Sequence, residues 1–157
     1  MRAWGPAVQR VVWGTIFIAH GVPKLVPVGD AGGVFGTALA FEGLGLWPPL
    51  VLAVLAGAVE VIGGAALILG WCARWAALAL AGVMVVAIWT VHWPFGFFLN
   101  WTIEPGQGHG VEYALALLAG LVSLALTGPG ALSIDARRER DRAEQEAGRA
   151  RLRAGKV

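Results

Sequence analysis

Residues 48–70 read PPLVLAVLAGAVEVIGGAALILG. Two prolines open the stretch, a glycine closes it, and only Glu60 between them is ionisable. Roughly 20 apolar residues are what an α-helix needs to cross a hydrocarbon core about 30 Å thick. Proline at the start and glycine just past the end are the usual punctuation of a helix. The stretch therefore reads as a membrane-spanning helix, and the question becomes how many others the chain carries.

Three more stretches qualify: residues 7–25, 74–93 and 110–127. The 157 residues are 57% hydrophobic and only 14% charged, where a soluble domain carries about a quarter charged residues. Many of the charges fall in the last two dozen positions. The expected fold is all-α, a polytopic membrane four-helix bundle. Residues 1–130 form one domain and 131–157 a charged tail, helical or disordered. The 23 glycines and 8 tryptophans suit such a bundle, since glycine lets helices approach and tryptophan sits at the membrane interfaces. A net charge of +2 gives no reason to expect nucleic acid. Cys72 is the single cysteine, so no internal disulfide or CxxC site exists. The first apolar run ends in HGVPKL rather than a small-residue cleavage site, and reads as a retained helix.

The connections differ. A short GWCAR corner joins the second and third spans. The loop before the second span contains an apolar piece, residues 34–41, too short to cross. It is expected to lie in the interface or tuck re-entrantly against the bundle. The loop PFGFFLNWTIEPGQGHG after the third span is expected to cover the bundle mouth. Arg2 and Arg10 are read as preceding the first span, with Arg74 at the short corner. The tail holds Arg137, Arg138, Arg140, Arg142, Arg149, Arg151, Arg153 and Lys156, whereas the longer loops hold only Lys24. Positive residues mark the cytoplasmic side, which puts both termini there and requires an even number of spans. Asp135 is read as a helix N-cap. Arg140 with Glu144, and Arg142 with Glu146, are spaced to pair on a helix. The tail is a solvated face. Its sharper reading is that Arg74, Arg137, Arg138, Arg140 and Arg142 meet a cytoplasmic partner or anionic headgroups.

Ionisable groups inside lipid are costly enough to read as functional. Glu60 lies about halfway along its span, with Gly57, Gly63 and Gly64 on the same helix face. Alternating span directions bring His20, Lys24, His92, Asn100 and Glu112 to the outer mouth, above Glu60. Trp93, Phe97, Phe98 and Trp101 are the expected aromatic walls. His109, in a glycine-rich loop, is set aside as solvated. Histidine and carboxylate beside aromatic rings suit a quinone. A haem clamped by His20 and His92 stands below it, because no further ligand backs the pair. No metal-ligand spacing is present, and no residue is assigned as catalytic. A non-catalytic accessory or anchor subunit is the alternative reading.

The motifs FIAHGVPKL, EVIGGAALILG followed by CARWAAL, HWPFGFFLNW, and GHGVEYALALLAGLVSLALTGPGALSID resemble the DoxX family over residues 10–135. The resemblance implies a multi-pass protein of the bacterial or archaeal inner membrane associated with redox chemistry. Members are linked to thiosulfate:quinone oxidoreductase and to membrane complexes joining oxidative-stress and thiol-handling enzymes. The family's recurrent polar positions fall on His20, Lys24, Glu60, Arg74, His92, Asn100, Glu112 and Asp135, without agreed catalytic roles. The expected function is a quinone-interacting subunit of a membrane oxidoreductase complex, with the lipid bilayer and other redox subunits as partners.

Overall fold

Apolar side chains in a helix meet a neighbour when they recur every third or fourth residue. That spacing organises this chain. The computed structural model describes residues 4–154; Arg2 and Lys156 lie outside them. The described residues form α1 (Trp4–Leu25), α2 (Gly33–Gly43), α3 (Pro49–Leu69), α4 (Ala73–Ala87), α5 (Glu112–Thr127) and α6 (Ile134–Ala154). They contain no strand. After Ala87 a π turn (Ile88–His92) and a 3-10 turn (Trp93–Phe95) carry α4 onward.

Two helical runs are long and apolar enough to cross a membrane. They are α3, with a mean hydropathy of 2.3, and the 23 residues Ala73–Phe95, with 1.9. The first has Pro49 at its start and ends on Gly70 in the left-handed region (φ 65°), as its punctuation requires. α1 has 22 residues but carries Gln9, Arg10, His20 and Lys24. It runs on through Pro23 to Leu25, so that proline does not end it. α5 is apolar but has 16 residues, about 24 Å at 1.5 Å per residue. The apolar piece at 34–41 grows into α2, which packs on α3 and α1.

α1 packs on α3, α3 on α4, α4 on α5 and α5 on α1, a closed circuit of helix contacts. Phe17, Leu67, Leu80, Met84, Leu117, Leu121 and Leu124 fill its centre. On α1 the buried residues are Ala7, Arg10, Gly14, Phe17 and Gly21. On α3 they include Ala53, Gly57, Glu60, Gly64 and Leu67. Both follow the three-four spacing of a coiled-coil seam. Where the seams cross, the two backbones touch. A Cβ on Gly14 would lie 2.5 Å from the Gly64 carbonyl oxygen, and one on Gly64 would lie 2.6 Å from that of Gly14.

The seam corrects the reading of Arg10. It does not precede the first helix; it lies inside α1 and is 1% exposed. One guanidinium nitrogen, Nη1, donates to the carbonyls of Leu67 (3.1 Å) and Ile68 (3.3 Å). The other, Nη2, donates to those of Ala131 (2.9 Å) and Leu132 (3.2 Å). A cation thus meets the last carbonyls of α3, which have no partner within the helix. Asp135 is corrected as well. Its carboxylate accepts the backbone N–H groups of Cys72 and Ala73, both at 2.9 Å, and so caps α4 instead of its own helix. The cap of α6 is Ser133, whose Oγ accepts the N–H of Ala136 at 3.1 Å. From Arg137 to Arg153 α6 is exposed. The spaced pairs Arg140–Glu144 and Arg142–Glu146 do not form. Among the described residues Lys24–Glu60 is the only ion pair, as solvated side chains gain little by pairing.

The backbone contact makes a direct expectation. Gly64→Ala should lower the thermal stability of the detergent-purified protein by about 1–3 kcal/mol through overpacking. Gly82→Ala, whose Cβ would meet nothing within 4 Å, should leave stability unchanged or raise it by up to about 1 kcal/mol. Paired melting curves of the two variants check it.

Candidate functional site

The glycine contact between α1 and α3 brings a lysine to a carboxylate. Gly57 leaves room for Lys24 and Leu25, and Gly21 packs on the Cβ of Glu60. Side chains on a helix lean toward its N-terminus, so Lys24 runs back one turn to Glu60. Its Nζ donates to both carboxylate oxygens. The Glu60 side chain is 6% exposed and that of Lys24 27%. A carboxylate at this depth needs such a partner.

The pair forms part of the wall of a cavity of about 910 Å³ between α1, α3, α4 and α5, within the usual range for ligand sites. Most of the wall is apolar. The polar groups on it are His20, Lys24, Glu60, Thr90, His92, His109 and Tyr113.

Val91 and His92 both line this wall at the end of α4, and the π turn sets which of them is the more covered. Leu80 and Met84 are buried on its seam, Ala87 and Ile88 continue it half-buried, and an unbroken α-helix would bring Val91 to the place after them. A π turn holds one residue more and passes that place to His92. Accordingly Val91 is exposed and His92 half-buried. The loop then folds back. Gly110, Val111 and Glu112 donate backbone N–H groups to Phe98, Gly96 and Phe97, and this lays Leu99 and His109 over the cavity mouth.

Backbone partners fix the imidazoles. His20 Nδ1–H donates to the carbonyl of Ile16, and His92 Nδ1–H to the carbonyl of His109, both at 2.9 Å. A carbonyl only accepts, so Nδ1 carries the proton in both rings. His109 is the reverse: its Nδ1 accepts the N–H of Asn100 at 3.2 Å. Although three histidines line the cavity, among the described residues no three His, Cys, Asp or Glu side chains gather closely enough to hold a metal ion.

Of the expected site residues, His20, Lys24, Glu60 and His92 share this wall. Asn100 and Glu112 do not. Asn100 is buried but organises the loop. Its Nδ2 donates to the carbonyls of Glu104 and Gln107, and its Oδ1 accepts the N–H of Glu104. Glu112 accepts the N–H of Leu99 at 3.2 Å and latches the same loop to α5. The expected aromatic walls are also corrected. Trp93, Phe97, Phe98 and Trp101 are exposed. Trp93 stacks on Trp89 outside the cavity, and Phe97 meets Phe98 edge to face. The rings that line the cavity are Phe17, Phe41 and Tyr113, set there by the seam of α1, the packing of α2 and the start of α5. Arg74 lies against Gly128, while Arg137, Arg138, Arg140 and Arg142 are exposed. Sequence reading set His109 aside and missed the placement of Arg10. For Arg10 the signal was present, because the spacing 7, 10, 14, 17, 21 puts it on the buried seam.

The described residues are helical, with two apolar runs of membrane-spanning length and an ion pair set between helices, the features of a helical membrane protein. The DoxX family profile matches residues 5–93, and the chain belongs to that family. It is 31% identical over 131 residues to a Bacillus subtilis protein named "Putative oxidoreductase CatD", covering 83% of this chain and 84% of that one. It is 30% identical over 134 residues to an uncharacterized membrane protein of Mycobacterium tuberculosis, Rv3486, covering 82% and 77%. No solved structure matches.

The ion pair can be tested by a double-mutant cycle. Lys24→Met and Glu60→Gln should each destabilise the protein, because each leaves one buried partner alone. Combining them should lose less than the sum, with a coupling on the order of 1–3 kcal/mol. Additive losses in denaturant titrations would show that the two groups do not interact.

Proposed function

We propose that this DoxX protein crosses the inner membrane four times, through α1, α3, α4 and α5, and that its cavity binds a quinone headgroup for a redox complex. The observation that carries the ligand reading is the cavity itself. It has the size of a ligand site, mainly apolar walls, and a few polar side chains from four helical runs and the covering loop. A quinone needs both kinds of wall, apolar for ring and tail and polar for its oxygens. The name of the Bacillus subtilis relative, "Putative oxidoreductase CatD", supports an oxidoreductase association.

The tryptophans support the four-span reading. Trp4, Trp71 and Trp75 are exposed where α1 begins, α3 ends and α4 begins. Trp47, Trp93 and Trp101 are exposed at the opposite ends. Two such belts mark the two membrane interfaces. The basic α6 leaves the end that carries Trp71, which makes that side cytoplasmic. The exposed α6, clamped at its root by Asp135, is the observation that favours docking to other subunits of a complex.

Cys72 is exposed at the cytoplasmic corner of this topology and gives a label-based test. A membrane-impermeant maleimide should label it in inverted vesicles and not in intact spheroplasts. Labelling from the outside would overturn the orientation. For the ligand, a short-chain ubiquinone or menaquinone analogue should raise the melting temperature of the purified protein. The response should fall at least about tenfold in apparent affinity in His20→Ala and Glu60→Gln. An unchanged response in both variants would remove the cavity from consideration.

A further inference from the structure

We infer that the cavity selects the hydroxyl form of its aromatic ligand, a hydroquinone or related phenol, over the carbonyl form. The inference rests on the headgroup reading above and sharpens it. A count of which polar atoms remain free on the cavity wall leads to it.

Lys24 gives two of its three N–H groups to Glu60, which leaves one N–H to donate and a lone pair on each carboxylate oxygen to accept. The protons on Nδ1 of His20 and His92 are both given to backbone carbonyls. In the neutral rings each therefore has Nε2 left, a lone pair without a proton. The Thr90 hydroxyl donates its proton to the carbonyl of Val86 at 2.8 Å, so its oxygen too can only accept. His109 alone is reversed: its Nδ1 takes the N–H of Asn100, which leaves Nε2–H as a donor. Of these six groups, His20, His92, Thr90 and Glu60 accept, and His109 and Lys24 donate. Tyr113 can serve either way.

A quinone offers two carbonyl oxygens, which only accept. Set against His20, His92 and Thr90 it would face lone pair to lone pair, and a quinone oxygen enclosed between the helices without a donor is expensive. A hydroquinone offers hydroxyls that donate to such acceptors and can also accept from His109. Protein sites that are built to bond a hydroxyl reject analogues lacking it far more strongly than sites that merely enclose it. The selectivity follows from the backbone partners of the two rings, His20 within its own helix and His92 through the covering loop.

The test uses the full-length protein in detergent and three ligands of one shape: decyl-hydroquinone held reduced by ascorbate, the corresponding quinone, and the bis-O-methyl ether of the hydroquinone. Apparent affinities come from tryptophan quenching and from the melting temperature. The hydroquinone should bind about tenfold tighter than either of the others. In the His20→Ala/His92→Ala variant the difference should shrink to about threefold or less. A quinone that binds as tightly as the hydroquinone overturns the inference and leaves the headgroup reading standing. Binding of none of the three overturns both. A preference that survives in the double variant overturns the assignment to the histidines. The comparison of ligands on the unaltered protein decides the first two outcomes even if the variant fails to fold.

Discussion

The contact on which the rest of the structure depends is the approach of α1 to α3 through glycine. Gly14 and Gly64 let the backbones touch, and Gly21 and Gly57 hold the same antiparallel register seven residues further on. That register puts Lys24 one turn from Glu60 and Arg10 beside the end of α3. In lipid the hydrophobic effect gives helices little reason to associate, so close packing and buried polar contacts must hold them together. Here one register supplies both. The packing consists of small residues, and the polar contacts lie at the two ends of the same seam.

At the opposite end from the cavity, polarity is matched to the helix termini. The C-terminus of α3, whose last carbonyls find no partner within the helix, receives a guanidinium from α1. The N-terminus of α4, with its unpaired N–H groups, receives a carboxylate from the start of α6. Each charge has the sign the helix dipole favours. The tight corner between α3 and α4 is thus held from both sides by residues far away in sequence. The root of the charged tail is part of that clamp.

How much of this was legible in the sequence depended on distance along the chain. The spanning stretch 48–70 and the apolar continuation of α4 were readable because hydropathy is local. Glu60 stood out because an acid in such a run has few bland explanations. Lys24 was placed near a carboxylate, but nothing in the sequence named Glu60 as the partner. Arg10 was legible by spacing and was misread as a flanking charge. Asp135 caps a helix that begins 62 residues earlier, and such pairings leave no local trace. The aromatic walls were misassigned for a similar reason. The chain folds back after Phe95, and sequence order does not say which rings that turn leaves outside.

The π turn at Ile88–His92 has a consequence for how the cavity chemistry is encoded. A helix is a rotary code, and one additional residue advances its phase by about 100°. Without that advance His92 would stand about 100° around the helix from the place it holds beside Val91 on the cavity wall. The polarity of this wall is therefore written in the hydrogen-bond count of the backbone as much as in the identity of a side chain. Two chains with a histidine at the same aligned position would present different surfaces if only one of them carried the extra residue. For this fold, aligning letters is not enough to transfer a site; the helical phase has to be aligned as well.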